Sequence, residues 1–110
     1  MRAVSVSPAE ARRLALALPE AVEVDHHGKP SFRVGGAIFA TLWDECTLNA
    51  MLDEDGIRTA VHELPLACSE RWWGRRLSAL RIDLGAIESA QLAALLRDAW
   101  EHRAPARLTR

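Results

Sequence analysis

Acid–base, nucleophilic or metal chemistry in this chain would have to come from four histidines, two cysteines and fifteen carboxylates. His26, His27, His62 and His102 with Cys46 and Cys68 are the candidate zinc ligands. Their spacing matches none of the patterns by which short loops present thiolates and imidazoles to a tetrahedral ion. Neighbouring histidines on a strand also point to opposite faces, so His26-His27 reads as a polar turn and no metal is expected. Cys46 or Cys68 could act as a nucleophile only with a base in hydrogen-bond reach, and neither has one near it in sequence. Asp44, Glu45, Asp53, Glu54 and Asp55 stand where turns and helix starts favour acids, and read as structural. A phosphate loop fails as well: Gly28-Lys29 is followed by Pro30 where Ser or Thr is required, and the earlier glycine would fall at Glu23. Neither catalysis nor a cofactor is expected.

The segment Trp72-Trp73-Gly74-Arg75-Arg76 is the least ordinary. One reading is that an indole plugs the end of the core while the glycine turns the chain. The other is that an indole with Arg75 or Arg76 forms a contact surface for phosphate, a nucleobase or a protein.

At 110 residues the chain fits one domain spanning 1–110, with 1–6 and 106–110 expected to be flexible. No apolar run approaches the roughly 20 residues that span a bilayer, and Met1 to Ser7 lacks a secretory core. With two widely spaced cysteines read as reduced thiols, a cytoplasmic location is expected. Net charge is −1 but uneven: residues 1–70 hold 6 Lys+Arg against 11 Asp+Glu, and residues 71–110 hold 8 against 4. The asymmetry marks a partner-binding face unless folding interleaves the halves and cancels it.

These residues must be positioned by short elements. Ser7, Pro8 and Glu10 announce a first helix with Ala11, Leu14, Ala15 and Leu18 on one face. Val22–Asp25 alternates as a strand, and His26–Pro30 is a turn. Runs 31–34 and 37–43 flank Gly35-Gly36, a hairpin signal because primed turns need positive φ. Strict alternation there puts Phe32, Val34 and Phe39 on one face and Ile38, Ala40 and Leu42 on the other, so either the register differs or both faces are covered. A fourth strand covers 47–52. Asp53 caps a helix burying Ile57, Ala60, Val61 and Leu64, and 65–76 reads as a loop. Leu80, Ile82 and Leu84 mark a fifth strand, and Leu92, Leu95, Leu96, Ala99 and Trp100 a last helix. The order is α-β-β-β-β-α-β-α: an α+β domain with an antiparallel sheet of about five strands and helices on one face.

The run from Leu18 to Leu52 resembles the MmcQ/YjbR family through Leu18-Pro19, His27-Gly28-Lys29-Pro30, Phe32-Arg33-Val34-Gly35-Gly36 and Ile38-Phe39-Ala40. Trp72-Trp73-Gly74, the strand to Leu84 and the final helix with Ala104-Pro105 extend the likeness over nearly the whole chain. The resemblance implies a CyaY-like, double-wing α+β domain of a kind often described as DNA-binding. By position it matches Lys29, Arg33, Trp73, Gly74 and Arg75; with the neighbouring Arg76, the expected nucleic-acid-binding set is Lys29, Arg33, Trp73, Arg75 and Arg76. The chain departs from the family at His26, where an aromatic or apolar residue is usual, and at Ala37 and Met51, where Lys is frequent. Two outcomes stand beside each other: a DNA-binding module, or a non-catalytic protein- or small-ligand-binding domain using the Trp72-Trp73 segment. The chain would be a monomer or weak homodimer with no membrane partner.

Overall fold

The computed structural model describes residues 5–110. Helix α1 (Pro8–Leu16) precedes four strands, β1 (Val22–His26), β2 (Lys29–Val34), β3 (Ala37–Leu42) and β4 (Thr47–Ala50). Then come α2 (Glu54–Glu63), β5 (Cys68–Trp73), β6 (Arg76–Asp83), a 3-10 turn at Leu84–Ala86, α3 (Ser89–Arg103) and a short α4 (Ala106–Thr109). The sheet runs β1-β2-β3-β4-β6-β5 with every neighbouring pair antiparallel. The α+β class and one-sided layering hold: α3 lies over β3 and β4, α1 packs on α3, and α2 covers β5 and β6.

The strand count is six, not five. Part of the expected 65–76 loop is the edge strand β5, hairpinned to β6 through Gly74-Arg75, with Gly74 at φ +63°. Its pattern hid it. Ser69, Glu70 and Arg71 show no apolar alternation because an edge strand over solvent buries little, and here only Cys68 is buried.

Local signals explain the helices. Ser7 Oγ accepts from the Glu10 N–H at 3.1 Å, and Asp53 Oδ1 from the Gly56 N–H at 2.7 Å. The Glu10 carboxylate pairs with Arg13 instead of completing a capping box. In α3 the predicted stripe Leu92, Leu95, Leu96, Ala99 and Trp100 is buried, and Trp100 Nε1 donates to the Pro19 carbonyl at 2.9 Å. Residues 1–4 lie outside the described residues, but Val6 is buried and its N–H bonds Leu84 O at 2.8 Å. At the other end Arg107 forks onto the Glu20 carboxylate at 2.8 and 3.0 Å.

A β-bulge resolves the hairpin's two apolar faces. Val34 pairs Ala37 and Arg33 pairs Ile38, but Phe32 pairs Ala40, so Phe39 is an extra residue in β3. Beyond it the parity of β3 flips. Phe32, Phe39, Ala40 and Leu42 all join the core, and Ile38 turns to the opposite face. The turn also has a tertiary role. Gly35 sits at φ +57°, and a Cβ there would meet Pro105 Cγ at 2.7 Å, whereas at Gly36 (φ +83°) it would meet nothing.

Replacing Gly36 by Ala should therefore cost about 1–2 kcal/mol of left-handed strain. Gly35→Ala should lose roughly 2–4 kcal/mol, because the clash with Pro105 adds to that strain; urea denaturation of both variants checks the order. The Glu20 carboxyl lies below its usual 4.5 because Arg107 donates to it, with burial opposing. A depressed folded value means that this contribution is complete above about 4.5 and disappears as pH falls through the folded value. Glu20→Gln should remove the corresponding acid-limb dependence of α4 docking, followed by NMR shifts of Leu108 and Thr109.

Candidate functional site

The helix-free face is assembled by register. Across the strands, Val24, Ser31, Thr41, Asn49, Arg81 and Ser69 form one row, because paired residues share a face. Ser31, Thr41 and Asn49 are buried although no helix covers them. Longer side chains from the flanking rows roof them. The Ser31 hydroxyl donates to Val24 O at 2.6 Å and accepts from Arg33 Nε at 3.2 Å; Arg33 Nη2 reaches His26 Nδ1 at 3.4 Å. Arg71 Nε donates to Asn49 Oδ1 at 3.3 Å.

Trp43, at the end of β3, organises the centre. Lys29 Nζ donates to its carbonyl at 2.7 Å and lies 4.4 Å from its ring centroid, and Arg71 Cζ lies 5.1 Å from the same ring. Two cations on one indole are a cation–π arrangement that holds both chains extended over the face. Beside them a concavity of about 220 Å³ is lined by His26, His27, Lys29, Ile38, Thr41, Trp43, Asn49, Met51 and Trp73.

Of the five residues expected to form a site, Lys29 and Trp73 line this concavity and Arg33 lies on the same face. Arg76 faces Trp73 in register and borders an adjoining hollow of about 510 Å³ with Met51, Asp53 and Glu54. Arg75 stands apart in the turn between β5 and β6. Neither adjacent indole plugs the core: Trp72 is 46% exposed and Trp73 47%. On a strand they part company, Trp72 bonding Glu70 through Nε1 at 3.1 Å and Trp73 facing the concavity. Trp43, Arg71 and Arg81 were not foreseen. Arg71 and Trp73 become same-face neighbours only once 68–73 is a strand.

The charges separate by face. Ion pairs among the described residues are Arg12–Glu23, Arg13–Glu10, Arg58–Glu54 and Arg107–Glu20, all involving helices. Lys29, Arg33, Arg71, Arg76 and Arg81 join none of them. A groove between α2 and α3 gathers Asp53, Asp55, Glu63, Asp98 and Glu101 instead. There burial first, and then Glu101, raises the Asp98 carboxyl. At the rim of the sheet face, Asp44 is held below its usual value, chiefly by the Cys46 N–H and to a small degree by Arg81.

The two histidines do not diverge as adjacent strand residues would. His27 leaves the strand at φ +54°, and its ring meets that of His26 edge-on at 4.5 Å. Among the described residues no three His, Cys, Asp or Glu side chains gather to hold a metal. Both cysteines are free, Cys46 exposed and Cys68 buried. Burial pushes the Cys68 thiol up to about 11, so it is protonated and unreactive at neutral pH.

The geometry defines a class first: a one-sided, six-stranded antiparallel α+β domain whose helix-free sheet face carries indoles and cations that join no ion pair among the described residues. A family model, YjbR, matches residues 16–102, and the chain belongs to the YjbR family. No curated protein and no solved structure matches it. Among the described residues no helix is long and apolar enough to cross a membrane.

Iodoacetamide at neutral pH should label Cys46 alone in the folded protein and both thiols in urea, read by intact mass. Labelling of Cys68 under native conditions would show that the helix layer opens easily.

Proposed function

We propose that this domain binds nucleic acid through its uncovered sheet face, as a binding module without catalysis. The observation that carries the reading is the convergence of Lys29, Arg33, Arg71, Arg76 and Arg81 on one face, none in an ion pair among the described residues. Phosphate chains are held chiefly by such cations, with release of counterions. The chain's net charge of −1 leaves no global attraction, so the field must be local. Half-exposed Trp43 and Trp73 beside the cations add the stacking surface that nucleobases use. Family membership supports the same reading, since the MmcQ/YjbR resemblance carries a DNA-binding description.

A protein partner on this face is the second reading, favoured by Val22 and Val24, exposed on the edge strand β1. If that partner is a second copy, sedimentation velocity at two concentrations shows a concentration-dependent dimer.

Fluorescence titration with single- and double-stranded oligonucleotides at low salt should show binding that weakens linearly in log salt. Arg33→Glu and Arg81→Glu should each weaken it and lower the salt slope by about one unit or more. Arg58→Glu, on the helix side, should leave it unchanged. No binding of either form at low salt refutes the proposal.

A further inference from the structure

Resting on that reading, we infer that the ligand is single-stranded, and that one unpaired nucleobase enters the concavity between Trp43 and Trp73. The shape of the face points this way. Six strands span roughly 24 Å at the usual interstrand spacing, about twice the width of a major groove at roughly 12 Å. The face therefore cannot reach base edges inside a duplex, whereas a single strand can lie across it with its bases turned inward.

The hollow suits a base in size and chemistry. At about 220 Å³ it is smaller than the roughly 300–1,000 Å³ that encloses a drug-sized ligand, and fits one flat ring system. Ile38, Met51 and Trp73 give it apolar and aromatic walls. Asn49 lies at its polar floor. Its Oδ1 accepts from Arg71 Nε at 3.3 Å, which fixes the amide at the base of the hollow. Lys29 and Arg71, already extended over Trp43, stand where the phosphates flanking an inserted base would pass. A base can use such a hollow only when it is out of the stack.

The test compares three ligands of matched phosphate number with the whole protein at low salt: oligothymidylate, an abasic phosphodiester chain, and a duplex. A length of about ten nucleotides falls within the ~4–16 that one small sheet-based domain covers. Oligothymidylate should bind roughly 10-fold or more tightly than the abasic chain and more tightly than the duplex, with quenching of tryptophan fluorescence. Trp73→Ala, at a half-exposed strand end, should shrink the thymidylate-to-abasic ratio towards one with the melting temperature nearly unchanged. Lys29 is the only lysine, so acetylation mapping supplies a second readout: thymidylate should protect it.

Equal binding of thymidylate and abasic chains overturns the base-insertion inference and leaves the electrostatic function standing. Tighter binding of the duplex does the same. Failure of all three ligands to bind removes the proposed function itself.

Discussion

Everything in this fold follows from keeping one side of the sheet dry and leaving the other without helices, and a single inserted residue makes that possible. Under plain alternation β3 would divide its apolar side chains between two faces. With Phe39 bulged out of register, Phe39, Ala40 and Leu42 join Phe32 in the core, and Ile38 alone is turned outward. The opposite face is left with Ser31, Thr41 and Asn49 at its centre. Burying those groups under an apolar helix stripe would strand their polar atoms, at about 1–3 kcal/mol each. All three long helices therefore collect on the Phe32 side, and the polar row is roofed by flexible cationic and aromatic side chains.

The nature of the roof matters as much as its position. Near the helices, Arg12, Arg13, Arg58 and Arg107 pair with glutamates. On the sheet face the cations rest on neutral partners: an indole and its carbonyl for Lys29, a hydroxyl and an imidazole nitrogen for Arg33, an amide oxygen for Arg71. Such contacts fix the side chains without cancelling their charge. The face can then be ordered and still carry a positive field, and a chain of net charge −1 can present it because the acids of the α2–α3 groove lie in the helix layer. Ordering before the ligand arrives lowers the entropy lost on binding.

Much of the architecture was legible along the chain. Ser7 and Asp53 as caps, the Gly35-Gly36 hairpin, the α3 stripe and the antiparallel, one-sided layering all rest on contacts within a few residues of each other, where spacing is a reliable guide. Lys29, Arg33 and Trp73 could be singled out along the chain, and the fold sets them on one face. Strand β5 was not, because an edge strand needs no apolar alternation; with it went Arg71, whose partners Asn49 and Trp43 are distant in sequence.

The sequence by itself determined the class of fold and most of its elements, since these depend on local periodicity and composition. Only the tertiary structure decided which face those residues share. That choice depends on the bulge at Phe39, an irregularity within the β2–β3 hairpin, and on the long-range pairing that inserts β6 between β4 and β5. They place Arg71 and Trp73 beside Lys29 and Trp43, which are distant from them in sequence.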